Sequence, residues 1–98
     1  MIFVRLPEHL SQFAGITRNV QLDQLGCKTQ NDLIDALESK YPVLKGAIRD
    51  ISTGNRRAFI RFFANGEDLS LDGLDSVLPE NVLAGEEILQ IVGAIAGG

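Results

Sequence analysis

The chain has 98 residues, 45% of them hydrophobic and 22% charged, which is enough for one domain with a core that needs no staples. Its net charge of −4 and pI near 4.8 lack the basic footprint of a nucleic-acid binder, and no apolar run approaches the roughly 20 residues of a membrane span. The single cysteine, Cys27, excludes an internal disulfide and any multi-cysteine metal site. The opening MIFVRLPEH has neither the basic region nor the apolar stretch of a secretion signal, so the chain reads as cytoplasmic.

Met1 to Leu6 is short, apolar and β-prone, and Pro7 closes it as a first strand. Alternation sets Ile2, Val4 and Leu6 on one side and Phe3 and Arg5 on the other. Residues 8–17, with Gly15, read as a long connection. Arg18 to Leu22 returns as a second strand with Val20 and Leu22 on one face, and Gly26 to Lys28 is a break. Thr29 reads as a helix N-cap with Asp32 three residues on, a variant capping box whose acid suits the helix dipole. Leu33, Ile34, Leu37 and Tyr41 recur at helical spacing, and Pro42 ends that helix at Tyr41. Val43 to Ile51 adds a short helix or turn through Leu44, Ala47, Ile48 and Ile51, and STGNRR (52–57) is a polar loop.

Ala58 to Ala64 is the clearest strand, rich in β-favouring Phe59, Ile60, Phe62 and Phe63. Asn65-Gly66 is a hairpin turn, since both positions tolerate positive φ, and Glu67 to Leu71 is the returning strand. After the Asp72-Gly73 turn, Leu74 to Asn81 is irregular with one helical turn, and Glu86 to Val92 is the last strand. The order β-β-α-β-β-β predicts an α+β fold: a sheet of four or five strands with one main helix covering one face. Residues 1–92 are the domain. Residues 93–98 (GAIAGG) form a tail with no charged or polar side chain, where soluble domains ordinarily fray into polar residues.

The combination resembles the ThiS/MoaD family of ubiquitin-like sulfur carriers. The residues that carry the resemblance are Phe62-Phe63-Ala64-Asn65-Gly66-Glu67-Asp68, then Leu83-Ala84-Gly85-Glu86-Glu87-Ile88, then Ala96-Gly97-Gly98. It spans essentially the whole chain and rests on the ordered combination rather than on any one motif. It implies a mixed, ubiquitin-like β-grasp sheet with the first and last strands side by side at its centre. Two departures stand out. Gly93 occupies a place where family members often have proline, and the segment from Val43 to Arg57 is long for the thiazole-synthesis carriers. That length is closer to the molybdopterin synthase small subunit and to the carriers of cysteine biosynthesis.

The resemblance makes the Gly98 α-carboxylate the reactive group. An adenylating, ubiquitin-activating-like enzyme would use ATP to convert it to an acyl-adenylate. A sulfur donor would then displace AMP to leave a thiocarboxylate for a sulfur-accepting biosynthetic enzyme. Gly97, with Ala96 before it, would let the tail thread a channel that larger side chains block, and residues 93–98 extend at most ~20 Å. The carrier itself needs no cofactor, no metal and no catalytic residue. His9, the lone histidine, supports no His-based dyad or multi-imidazole metal site and reads as an exposed loop residue. Cys27 reads as a small packed residue, because the thiocarboxylate route gives it no task. Glu67, Asp68, Glu86 and Glu87 read as a solvated acidic rim.

A docking surface follows from alternation. Ile60, Phe62, Ala64, Leu89 and Ile91 face inward, whereas Arg61, Phe63, Ile88, Gln90 and Val92 face outward. With β-grasp strand order, Phe3, Phe63 and Val92 gather on the helix-free face. There they read either as a partner interface, with Arg5 and Arg61 meeting acids on the partner, or as scattered surface hydrophobes. The same tail serves two other readings. One is a ubiquitin-like modifier conjugated to lysines through Gly98, and the other is the small subunit of a molybdopterin-synthase-like complex.

Overall fold

The computed structural model describes residues 1–23 and 26–93. Five strands form one mixed sheet: β1 (Ile2–Arg5), β2 (Asn19–Leu22), β3 (Ile60–Ala64), β4 (Glu67–Asp68) and β5 (Leu89–Gly93). Their spatial order is β2-β1-β5-β3-β4. β1 and β5 run parallel, with Val4 opposite Leu89 and Arg5 opposite Gln90. The pairings β1–β2, β3–β5 and β3–β4 are antiparallel. This is the α+β β-grasp arrangement, with the first and last strands adjacent at the sheet centre.

Three helices accompany the sheet: α1 (Glu8–Ala14), α2 (Gln30–Lys40) and the single turn α3 (Glu80–Leu83). α2 is the main one, and it buries Leu33, Ile34 and Leu37 against inward side chains of the sheet. Those side chains are Ile2, Val4, Val20, Leu22, Ile60, Phe62, Ala64, Leu89 and Ile91, so the period-2 pattern of β1, β2, β3 and β5 is realised. The returning strand expected to reach Leu71 instead stops at Asp68, with both its residues exposed, and gives way to a 3₁₀ turn at Ser70–Asp72. α2 starts with a complete capping box. The Thr29 hydroxyl accepts from the Asp32 N–H (3.1 Å), and the Asp32 carboxylate accepts from the Thr29 N–H (3.0 Å).

α1 corrects the expectation of a long connection over residues 8–17. The helix has only about two turns and buries just Leu10 and Ser11, too few for a periodic signal. Its boundary residues were nevertheless in the sequence: Pro7 at the N-cap, Glu8 in the first turn and Gly15 in the left-handed C-cap conformation (φ 69°). His9 is therefore a helix residue, not a loop residue. The segment after α2 is a 3₁₀ turn at 42–44 with Leu44 and Ile48 in the core, while Ile51 is 79% exposed instead of joining them.

Two turns justify their residues. Asn65 and Gly66 both have positive φ (56° and 75°), the requirement of a tight two-residue hairpin. At Gly85, with φ of +80°, an added Cβ would lie 2.5 Å from the Met1 carbonyl oxygen, so the approach to β5 has no room for another residue.

The capping box makes a prediction. Thr29→Ala should cost about 1 kcal/mol, read as a lowered urea midpoint. The Thr29 and Lys28 backbone N–H groups hold the Asp32 carboxyl below its ordinary value. Its stabilisation is thus present above the unfolded-state value and lost as pH falls through the lower folded-state one. Asp32→Asn should accordingly lower the midpoint at neutral pH, and the deficit should shrink in acid.

Candidate functional site

The outer face of the sheet is built by the register. In the row through Gln90, β1 contributes Arg5 and β3 contributes Phe63. One row along, Val92 lies opposite Arg61. Extending the parallel register back by one residue sets Phe3 beside Ile88. Phe3, Phe63 and Val92 are all half-buried, and Ile88 is 49% exposed. The expected apolar gathering is therefore a ring around Gln90, in which Phe3 neighbours Ile88 and Phe63 lies diagonal to Val92. Ile88 belongs with this group, and its outward alternation was the signal for it.

Charges edge the ring. Arg61 reaches Asp68 (3.6 Å), whose carboxyl is held below its ordinary value by hydrogen bonds from Ser70, aided by Arg61 and Arg56. Arg5 is exposed. The face thus combines cations with apolar surface, and nothing in it arranges a nucleophile beside a base. Among the described residues, no cluster of three or more His, Cys, Asp or Glu side chains could hold a metal ion. No helix among them is long and apolar enough to cross a membrane.

Cys27 is buried. Burial first, then the charges of Asp32 and Asp35, push its thiol up from the ordinary value, which leaves it protonated and a poor nucleophile.

The tail root sits where β5 ends. Gly93 lies opposite Ile60 at the start of β3 and faces inward like Ile91, toward α1. A Cβ built there would fall 2.2 Å from His9 Cε1, so the exposed imidazole would have to swing aside for any side chain at this position. This proximity was missed by sequence reading, because His9 and Gly93 are 84 positions apart in the chain and meet only through α1. An open groove of about 500 Å³ runs past this point, lined by Pro7, His9, Arg18, Gln90, Val92 and Gly93 among others. The expected tail residues Ala96, Gly97 and Gly98 lie outside the described residues, as does everything else beyond Gly93.

The fold is shared with solved structures. The chain is similar to one in the crystal structure of the Amycolatopsis orientalis BexX/CysO complex, with 24% identity, TM-score 0.76 and 100% of each chain covered. It is similar to SAMP1 from Haloferax volcanii, with 27% identity and TM-score 0.75 over 99% of this chain and 98% of that one. It is also similar to small archaeal modifier protein 1 from Methanosarcina acetivorans, with 26% identity and TM-score 0.70 over 99% of this chain and 95% of that one. No family model matches the sequence, and the sequence search finds no curated relative.

The His9–Gly93 proximity can be tested by substitution. Alanine is normally better than glycine inside a strand, and the exposed His9 ring can swing aside. Gly93→Ala should therefore leave the melting temperature unchanged or slightly raised while shifting the His9 imidazole NMR resonances. Unshifted His9 resonances would show that the ring does not occupy that space.

Proposed function

We propose that this chain, a ubiquitin-like protein of the ThiS/MoaD type, is a sulfur carrier that works by its terminal Gly98 and is not itself an enzyme. A separate adenylating enzyme activates the Gly98 carboxylate with ATP. A sulfur donor then displaces AMP, and the resulting thiocarboxylate is passed to a sulfur-accepting enzyme of biosynthesis in the cytoplasm. The observation that carries this reading is the seating of β5. The strand that leads into the sequence AIAGG is the central strand of the sheet, held between β1 and β3, with its last described residue at the sheet border.

The five residues after Gly93 span at most ~17 Å when extended. That length can bring Gly98 into an enclosed active site while the globule stays outside. Ala96 and Gly97 suit such passage because little or nothing projects from their backbone. The ring of Phe3, Ile88, Phe63 and Val92, with Arg5 and Arg61 at its border, is the surface on which the same partner would rest. Apolar contacts of this kind supply affinity and the rim charges supply orientation. The likeness in fold to a chain found in the BexX/CysO complex is compatible with docking on a partner protein.

A second reading is favoured by the likeness to small archaeal modifier protein 1: Gly98 joined to lysines of other proteins. Both uses pass through the same adenylate. Intact-mass measurement separates them, since exchange of one oxygen for sulfur changes the carrier's own mass slightly whereas conjugation adds a whole second protein.

Deletion of Gly98 should abolish ATP–pyrophosphate exchange by the activating enzyme while leaving the melting temperature unchanged. Continued exchange by the shortened chain would end the carrier reading. Phe63→Asp should raise the KM for the carrier about tenfold or more with little change in thermal stability. A large loss of stability would mean that Phe63 serves the fold and not a partner.

A further inference from the structure

Positive charge is strongly segregated in this acidic chain. Residues 45–61 hold five of the nine Lys and Arg side chains, Lys45, Arg49, Arg56, Arg57 and Arg61, but only one of the 13 acids, Asp50. Their local environments differ. Arg49 is spent inside the fold, bonded to Asp35 (2.7 Å) and Glu38 (3.1 Å) on α2, and Arg61 faces Asp68. Arg56 and Arg57 are held by neutral groups instead. Arg56 Nη1 donates to the carbonyls of Arg57 and Ile60, and Arg57 Nε donates to the Gly46 carbonyl. Among the described residues, no carboxylate comes within ion-pair distance of Arg56, Arg57 or Lys45. Asp50, the acid within the segment, is hydrogen-bonded by Ser52 and Thr53 and attracts Arg57 only at longer range, as Asp68 attracts Arg56.

The segment is also a built structure. An isolated bridge pairs Arg49 with Arg56, the Asp50 N–H donates to the Asn55 carbonyl (2.8 Å), and the Arg57 N–H donates to the carbonyl of buried Ile48 (2.9 Å). Its tip carries apolar surface, with Ile51 79% and Phe59 59% exposed. Phe59 leads directly into Ile60, which is paired with Gly93 at the tail root. His9 lies between this segment and the groove beside β5, lining both. Oriented guanidinium groups without a direct ion pair, beside exposed apolar surface and next to the place where the tail departs, are suited to a rim of opposite charge. Arginine held by its own backbone contacts also loses little freedom on pairing with a carboxylate.

We propose that residues 45–59 form a basic collar beside the tail root that docks on an acidic, partly apolar rim at the mouth of the channel receiving Gly98. The occupant is the activating enzyme, so the collar rests on the carrier reading and extends it to a second contact surface. The tail can carry Gly98 as far as ~17 Å beyond Gly93, so the collar and the nucleotide need not share one site. Arg56 and Arg57 therefore steer and seat the carrier, and the adenylation chemistry proceeds without them.

The test uses the full chain and the adenylating enzyme encoded in the same genome, followed by ATP–pyrophosphate exchange over a range of salt concentrations. For the unaltered carrier, KM should rise with salt, because exposed charges are screened. Arg56→Gln/Arg57→Gln should raise KM about tenfold at low salt, leave kcat unchanged and flatten the salt dependence, the signature of lost rim charges. Arg56→Lys/Arg57→Lys keeps the charge but loses the fork, and should stay within about threefold of the unaltered KM with its salt dependence intact. An unchanged KM and salt dependence in the glutamine pair would overturn the collar while leaving Gly98 activation standing. So would equal losses in the glutamine and lysine pairs, which would make these arginines structural. If the unaltered chain is not activated at all, the carrier reading fails and the collar falls with it.

Discussion

The parallel pairing of β1 with β5 is the constraint on which the rest of this molecule depends. It places the last strand between the first strand and β3, so the chain cannot close its sheet until both ends have been made. Leu89 and Ile91 are then fully buried, and a pull on the chain beyond Gly93 loads a central strand instead of peeling an edge. A tail handled by other proteins benefits from such a root. An edge strand has one neighbour to hold it, whereas β5 has two.

The same pairing decides which surface is left open. The helices crowd onto the inward side, where α2 supplies Leu33, Ile34 and Leu37 and α1 supplies Leu10. The outward side keeps the cross-strand neighbours Arg5, Gln90 and Phe63, with Val92 beside Arg61. The apolar members Phe3, Phe63 and Val92 of that face are half-buried, and such a surface can remain in water and still gain from being covered.

Within the globule, the titratable groups serve architecture. Asp32 caps α2, Asp50 closes its own turn, and Arg49 ties the long segment after α2 back onto Asn31, Asp35 and Glu38. The two carboxylates hold the Arg49 guanidinium above its ordinary value even though burial works against the charge. Cys27 is buried and kept protonated. In the proposed carrier reading the reactive chemistry falls to Gly98, and the body would supply position and contact surface.

Much of the fold was legible because period-2 alternation is local. Ile2 and Val4, Val20 and Leu22, Ile60 and Phe62, and Leu89 and Ile91 are apolar at every second position, and all are buried. The Thr29–Asp32 cap, the Asn65-Gly66 turn and the Pro42 stop are likewise written in a few adjacent residues. The short helix α1 escaped because seven residues with one buried apolar side chain carry too little periodicity. Ile51 was misplaced because its helical spacing from Ile48 has no helix to act on. By itself the sequence determined which residues turn inward, where the chain turns, and that an uncharged Gly-Gly end comes after the last strand, since each of these depends on neighbours in the chain. Only the tertiary structure decided that His9 lies beside Gly93, that Ile88 joins Phe3, and that Arg56 and Arg57 stand without a direct ion pair near the end of β5. Those relations join residues distant in sequence through sheet register and helix placement, and no local spacing encodes them.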